Sequence, residues 1–158
     1  MQRLLMEDYP TTKEAFEWFV PDTFNFGGDV VDYWAEDESR LALIWLNDKG
    51  EEKRFTFDDI KRRSNQFANL LAHQGIGKGD RVIVMLPRLP EWQIAMTGCH
   101  KLGAVPIPCV TMLTEKDLAY RAAHSGARAV VTTAGHTHKF DERYAARISV
   151  GMAPGWID

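Results

Sequence analysis

Short amphipathic segments open the chain, and residues 1–40 are predicted to form a helical lead-in. A first helix is predicted over residues 11–20, where Thr11 stands three positions before Glu14, the spacing of a capping box. The apolar residues that share one side of this helix are Phe16, Phe19 and Val20. A second short helix is predicted over residues 29–35, where three apolar residues recur at helical spacing.

Residues 41–57 have the pattern of a β-hairpin. An apolar run from Leu41 to Leu46 precedes the turn-forming residues 47–50, and aromatic and polar residues alternate over 53–57. The segment is therefore predicted to form two antiparallel strands.

Helical and strand patterns alternate over residues 58–133, which predicts a parallel βαβαβ core. Parallel strands need crossover connections of about a dozen residues, and the predicted helices have that length. The predicted helices are 58–74, 90–102 and 114–126, and the predicted strands are 81–86, 104–108 and 129–133. The fold class is therefore α/β, a layered sheet with an N-terminal helical segment and a hairpin.

The last segment, residues 134–158, shows no strong periodicity and is predicted to be an irregular tail. The whole chain, residues 1–158, is interpreted as a single partial domain, because its length suits one domain or one lobe of a larger one.

Charge and cysteine content exclude several classes of protein. The 158 residues carry 19 basic and 22 acidic side chains, so no basic excess favours nucleic acid as a partner. Two cysteines, Cys99 and Cys109, are too few for a disulfide framework, and a reduced, cytoplasmic protein is expected. No apolar run approaches the roughly 20 residues of a membrane span, and the N-terminus lacks the pattern of a signal peptide.

The glycine-rich segment 75–80 is the first candidate for a phosphate site. A phosphate-binding loop follows a strand and precedes a helix, whose free N–H groups bind the anion. Here the predicted order is reversed, since the segment follows a helix and precedes a strand. It is interpreted as a structural turn.

Two further groups of residues have side chains that could carry chemistry. His136, His138, Asp141 and Glu142 could ligate a metal, but no further ligand spacing stands out, and a solvated loop is the expected structure. Cys99-His100 lies within an apolar helix, where adjacent side chains diverge, so a packed, inert cysteine is expected.

The remaining candidates also favour structural roles. The basic cluster Lys61, Arg62 and Arg63 is expected to be a solvated helix face, and Trp92 is expected to pack in a core or interface. Asp58 and Asp59 are expected to interact with the positive end of the helix they begin. No catalytic, cofactor-binding or metal-binding residue is therefore assigned in this chain.

Three motifs, in this order, resemble the core motifs of adenylate-forming enzymes. Phe55-Thr56-Phe57 before a long helix resembles the first motif. Gly79-Asp80-Arg81-Val82 followed by Leu86-Pro87 is similar to a strand of the same superfamily, and the run 101–108, KLGAVPIP, resembles its second motif.

A narrower set of segments resembles medium-chain acyl-CoA synthetases. The matching runs are Phe24-Asn25-Phe26, Asp29-Val30, Trp45-Leu46-Asn47, residues 50–52, 87–92 and 113–121, and Gly155-Trp156-Ile157-Asp158. The resemblance extends over residues 21–158 and implies a partial N-terminal domain of the acyl-CoA synthetase fold.

The resemblance implies a two-step ligase reaction. A carboxylic acid, medium-chain fatty or aromatic, would react with ATP to form an acyl-adenylate, and coenzyme A would then displace AMP. The resemblance implies that the intact enzyme binds ATP, magnesium and coenzyme A. It implies that this chain alone binds none of them. The phosphate-binding loop and the later motifs of the family are missing here, so a catalytically inactive fragment that packs against the remainder of a synthetase is expected.

Two alternatives remain open. The chain could be a non-catalytic interaction module that pairs with a synthetase or another partner through an exposed sheet face or edge. It could also be a small nucleotide-binding α/β domain, in spite of the order of elements around the segment 75–80.

Overall fold

The computed structural model describes residues 8–18 and 20–158. Its helices are α1 (Tyr9–Ala15), α2 (Phe57–His73), α3 (Pro90–Leu102) and α4 (Glu115–Ser125), with a π-helical turn at Phe26–Asp32 and a 3-10 helix at Ala134–Lys139. Its strands are β1 (Leu41–Leu46), β2 (Glu52–Thr56), β3 (Arg81–Val84), β4 (Val105–Pro108), β5 (Ala129–Thr133) and β6 (Ala146–Val150).

Four of the strands form a parallel sheet in the order β4-β3-β5-β6, and β1 and β2 form an antiparallel hairpin. Within the parallel sheet, Val82 of the central strand β3 is in register with Pro106 of β4 and Ala129 of β5. The predicted α/β class, the hairpin and the parallel βαβαβ core are confirmed.

The parallel sheet is covered by helices on both faces. Val82 and Val84 pack with buried residues of α2 and α3, whereas Ile83 between them packs with buried residues of α4. Alternate residues of a strand point to opposite faces, so a strand buried on both sides must be apolar throughout. This burial explains why the sequence of β3 contains the continuous apolar run Val82-Ile83-Val84.

Helices α2 and α3 cross closely because one position of α3 has no side chain. A Cβ atom added at Gly98 would lie 2.8 Å from the backbone oxygen of Ser64 and 2.8 Å from Cδ1 of Phe67, both on α2. Ser64 is fully buried at this crossing. Gly98 therefore sets the distance between the two helices.

The hairpin packs on the other end of α2. Phe55 of β2 forms a small core with Ile60 and Ile94 of α2 and α3, and Leu43 and Trp45 of β1 pack against it. The Thr56 hydroxyl accepts a hydrogen bond from the Asp59 N–H, and the Asp59 carboxylate accepts one from the Thr56 N–H, which together form a capping box.

Both predictions for the lead-in helices need correction. Helix α1 begins at Tyr9, because the Asp8 carboxylate accepts from the Thr11 N–H at 3.1 Å, and it ends at Ala15. The predicted boundary at residue 20 is wrong, and Phe19 lies outside the described residues.

The second lead-in segment is wound as a π-helix, beginning at Phe26 rather than residue 29. Its start is fixed by Asn25, whose side-chain oxygen accepts from the N–H groups of Gly27 and Gly28 at 2.9 and 3.2 Å. Asn is a strong N-cap residue, so the helical turn begins directly after it.

The prediction of an irregular tail at 134–158 is also wrong. Ala134–Lys139 forms a 3-10 helix, and Ala146–Val150 is the fourth strand of the parallel sheet. Residues beyond β6 return to the sheet, since Ile157 forms a parallel bridge with Ile148.

None of the helices in the described part of the chain is both long enough and apolar enough to cross a membrane.

Candidate functional site

An apolar cavity lies at the carboxyl end of the central strands. It has a volume of about 610 Å³, and its walls come from the segment after β3, the start of α3, the segment after β4, and β1. Ligands of open α/β sheets bind in crevices at this end of the strands. We refer to this cavity, lined by Leu43, Trp45, residues 86–90, Trp92, Gln93 and residues 110–112, as the carboxyl-end groove.

The hairpin wall of the groove is fixed by one hydrogen bond. The indole N–H of Trp45 donates to the backbone oxygen of Arg88 at 2.7 Å, which joins β1 to the segment between β3 and α3. Pro90 occupies the first turn of α3, where its missing N–H costs no helical hydrogen bond. The segment therefore turns sharply from the sheet into the helix.

The opposite wall is fixed from the 3-10 helix. The ammonium group of Lys139 donates to the backbone oxygens of Thr111 and Leu113 at 2.8 and 2.9 Å. The buried Thr132 hydroxyl donates to the backbone oxygen of Met85 at 2.9 Å and so holds the end of β3. Both walls are thus held by the body of the domain.

The groove has the chemistry of a binding surface. Its lining is mostly apolar and aromatic, with Gln93 and Thr111 as polar members, and Arg88 is the charged residue among the described residues that line it. Trp92 forms part of one wall and also packs against the main core, which agrees with the packing role predicted for it. The described residues of the lining include no thiol, imidazole or carboxylate, so they can hold an apolar group beside an anion but supply no base.

The glycine-rich segment 75–80 lies at the opposite, amino-terminal end of the sheet. The Asp80 carboxylate accepts from the Gly77 N–H at 2.9 Å and from the Arg128 guanidinium at 2.7 Å. The Gly77 hydrogen bond, followed by the charge of Arg128, lowers the pKa of Asp80. The Asp80 carboxylate thus accepts a hydrogen bond from a backbone N–H of the same segment. The segment connects α2 to β3, which is the order of elements that the sequence predicted.

Arg81 has a structural contact that the sequence did not reveal. Its guanidinium donates to the backbone oxygens of Ser125 and Gly126 at 2.6 and 2.9 Å. These carbonyls belong to the end of α4, where a positive charge also interacts favourably with the helix dipole. Gly126 itself has φ of +63°, which ends the helix in a left-handed turn.

The two histidines of the candidate metal cluster lie on the 3-10 helix. Nδ1 of His136 is 2.8 Å from the Thr133 hydroxyl, and Asp141 pairs with Arg143 at 2.8 Å. No group of three or more metal-ligating side chains comes together among the residues that the structure describes. The prediction of a solvated loop is wrong in one respect, since the backbone forms a helical turn.

Cys99 is buried in α3 among core residues, and burial raises the pKa of its thiol to about 12. The neighbouring His100 has a buried Nδ1 atom without a hydrogen-bond partner. A buried, protonated thiol is a poor nucleophile, so this geometry agrees with an inert cysteine.

The basic cluster at the start of α2 is partly exposed. The Arg62 guanidinium contacts the Asp58 and Asp59 carboxylates at 2.8 and 2.7 Å, and it forms the charged face that the sequence predicted. The hydrogen bond from the Thr56 N–H contributes most to the lowered pKa of Asp59.

Residues 31–152, most of the chain, match the sequence family described as AMP-binding enzyme. The chain belongs to the AMP-binding enzyme family. The resemblance that the three motifs predicted is thereby confirmed.

Relatives within the family are acyl-CoA synthetases. The human protein named acyl-coenzyme A synthetase ACSM3, mitochondrial, is 40% identical over 132 residues, which are 79% of this chain and 22% of that protein. A crystal structure of an acyl-CoA synthetase from Brucella canis superposes with a TM-score of 0.79 at 26% identity, over 97% of this chain and 29% of the other. A benzoate CoA ligase from Burkholderia xenovorans LB400 superposes with a TM-score of 0.62 at 25% identity, over 74% of this chain and 23% of the other.

The chain spans less than a third of the length of each of these relatives. The similarity therefore concerns one layered unit of a larger enzyme, and the superposition with the Brucella canis protein includes nearly all of this unit.

The family motif at residues 101–108 holds three elements together. The Lys101 ammonium contacts the Asp32 carboxylate at 2.6 Å and the Asn65 side-chain oxygen at 2.7 Å, and its side chain is only 9% exposed. It thereby joins α3 to α2 and to the π-helical turn. Lysine is rarely buried without such partners.

Neither end of the parallel sheet has, among the described residues, the groups that bind a nucleotide triphosphate or magnesium. A triphosphate requires several converging cations or N–H donors, and magnesium requires carboxylate or phosphate oxygens. The carboxyl-end groove offers Arg88, and Asp80 at the other end of the sheet is already paired. Among the described residues, neither of these two places therefore fits a triphosphate or a magnesium ion.

Proposed function

We propose that this chain forms the N-terminal layer of an acid–CoA ligase, which activates a carboxylic acid with ATP and transfers it to coenzyme A. The proposal is supported by membership in the AMP-binding enzyme family and by relatives named acyl-CoA synthetases. The acid is proposed to be a medium-chain fatty or an aromatic acid. ATP, magnesium and coenzyme A would be bound by the intact ligase.

The observation that carries a role for this layer is the carboxyl-end groove. Its apolar walls suit the hydrocarbon part of an acid, and Arg88 offers a cation for an anionic group. In this proposal the groove lines the substrate path and excludes water from it, and the reacting groups come from the rest of the ligase.

The polypeptide of residues 1–158 is proposed to be inactive by itself. Formation of an acyl-adenylate depends on positioning the acid and the phosphate in line and on neutralising the phosphate charge. The described residues that line the groove supply one cation, Arg88, and no acid or base, so they meet neither requirement alone.

A chimeric enzyme tests the proposed role. Residues 31–152 would replace the matching segment of the Brucella canis acyl-CoA synthetase, and acyl-CoA formation would be measured with a series of fatty and aromatic acids. An active chimera is expected. A folded chimera that activates none of the acids would contradict the proposal.

Within the active chimera, Met112→Glu tests the groove directly. Met112 lines the groove, so a carboxylate there would repel a carboxylic acid substrate and raise KM at least about tenfold. Met152 is equally exposed, at 87% against 86%, and is absent from the groove lining. Met152→Glu is therefore the matched control, expected to leave KM unchanged, and an equal effect of both variants would contradict the groove's role.

A further inference from the structure

Both edges of the parallel sheet, β4 and β6, are protected against the addition of another strand. Val105, the first residue of β4, donates its N–H to the oxygen of Asp80 just before β3, and Cys109, just after β4, donates to Val84 of β3. The alternate residues Pro106 and Pro108 therefore face the free edge without N–H donors. At the other edge, the Ile157 N–H donates to the Arg147 oxygen of β6 and the Ser149 N–H donates to the Ile157 oxygen. Natural proteins protect sheet edges by such devices.

Strand β1 of the hairpin lacks this protection. Its sequence, LALIWL, contains no charged residue, proline or glycine, and Ile44 and Leu46 are 44% and 62% exposed. The neighbouring strand β2 carries Glu52, Lys53 and Arg54, three exposed charged residues that disfavour strand addition on its side. Within the described residues, no backbone hydrogen bond joins β1 to an element other than β2.

The register of the hairpin shows which backbone groups of β1 face outward. The Asn47 N–H donates to the Glu51 oxygen at the turn, and residues opposite each other in an antiparallel pair alternate between bonded and non-bonded positions. Trp45 and Leu43 therefore bond to β2. The N–H and C=O groups of Ile44 and Leu46 point away from β2, toward the free edge.

We propose that β1 is a docking edge for β1 of a second copy of this chain, in an antiparallel pair centred on Ile44. This centre is the residue whose outward N–H and C=O groups can exchange two hydrogen bonds with the same residue of the second copy. The pairing is isologous, as in most soluble dimers, and it joins the two hairpins into a four-stranded sheet.

Charge complementarity favours a second copy as the occupant. Centring the pair on Ile44 brings Arg40, just before β1, near Asp48 of the second copy, just after its β1. The Arg40 guanidinium is held over the Trp34 ring at 3.6 Å, which positions it at the start of the strand. Asp48 is exposed at the turn and forms no ion pair within the part of the chain that the structure describes.

The short ladder sets the expected affinity. A bulge between Leu41 and Leu43 confines the regular part of β1 to four residues, so the interface is small. A dimer that dissociates reversibly in the micromolar range is expected.

Sedimentation velocity of the 158-residue chain over a range of concentrations tests the proposal. Ile44→Lys is expected to lower the association constant at least about tenfold, because it places two ammonium groups opposite each other at the centre of the pair. Val105→Lys, at a residue of similar exposure on the proline-protected edge, is the matched control and is expected to leave association unchanged.

Exchanging the charges of Arg40 and Asp48 shows whether a variant weakens association through this ion pair or through an effect on folding. Asp48→Arg alone is expected to weaken the dimer because it faces Arg40 of the second copy, and the double variant Arg40→Glu with Asp48→Arg is expected to restore it. Thermal unfolding would confirm that every variant is folded. A monomer at all concentrations, or a dimer that Ile44→Lys leaves intact, would overturn the proposal.

Discussion

Asp80 and Arg81 fasten different elements to the amino-terminal end of the parallel sheet. Asp80 closes the turn before β3 and holds Arg128 at the start of β5, and Arg81 binds the last carbonyls of α4. These two residues belong to one of the three motifs that resembled the family in sequence. Their contacts show why these residue types are needed for the fold.

The crossing of α2 and α3 at Gly98 gives a prediction at the residue scale. Gly98→Ala is expected to lower the free energy of unfolding by about 1–3 kcal/mol, because the new Cβ would meet the backbone oxygen of Ser64 and force α2 and α3 apart. Urea unfolding followed by circular dichroism measures this. Gly77→Ala is the control, since a Cβ there has open space, and equal losses for both variants would contradict the crossing argument.

The carboxylate of Asp80 predicts a pH dependence of stability. Its folded pKa is lowered, first by the Gly77 N–H and then by Arg128, so its contribution is fully present above the unfolded pKa of about 3.9. That contribution is lost as the pH falls through the lower folded pKa. Asp80→Asn is expected to lower the melting temperature at pH 7, and the difference from the wild type is expected to shrink below about pH 4.

The control for this experiment is Asp22→Asn, at a residue without a hydrogen bond or ion pair in the described structure. Its melting temperature is expected to follow that of the wild type at each pH. A pH-independent loss in Asp80→Asn would show that the carboxylate charge is not what stabilises the turn.

At the scale of elements, the capped helix α4 covers one face of the sheet. The Thr114 hydroxyl accepts from the Asp117 N–H, and the Asp117 carboxylate accepts from the Thr114 N–H. Thr114→Ala is expected to lower the free energy of unfolding by about 1 kcal/mol. Thr114→Ser keeps the hydroxyl and is expected to retain most of the stability, so equal losses in chemical denaturation would exclude the cap as the cause.

Elements with local signals could be predicted from sequence, and those that depend on distant partners could not. The hairpin, the central strands and the Thr114 cap each have a signal within a few residues. Strand β6 was missed because Arg147 and Ser149 interrupt its apolar pattern, and its pairing with β5 and Ile157 stabilises it. The start of the π-helical turn was not predicted because it depends on the Asn25 side chain, which caps the turn by accepting from the N–H groups of Gly27 and Gly28.

The candidate site was harder to predict than the fold. The carboxyl-end groove is assembled from β1 and from the segments after β3 and β4, which are separated in sequence. Trp45, Leu86 and residues 87–92 lie in runs that resemble the family, yet the resemblance gives none of them a function, and Trp92 has a predicted role only as a packing residue. The motifs instead drew attention to residues such as Lys101, whose contacts lie within the domain.

At the scale of the whole molecule, the chain is a layered α/β unit of the AMP-binding enzyme family. The amino-terminal end of its sheet is closed by side chains that pair with one another, and its carboxyl end opens on an apolar groove. This asymmetry supports the proposal that the unit binds and shields part of a substrate while other parts of a ligase perform the reaction.

Acid-dependent exchange of labelled pyrophosphate into ATP tests the central claim most directly, because it reports acyl-adenylate formation. The 158-residue chain would be assayed with magnesium and a series of medium-chain and aromatic acids, beside the intact Brucella canis synthetase. Our account predicts exchange by the intact enzyme and none above background by this chain. Exchange by the purified chain that depends on the added acid would contradict the account.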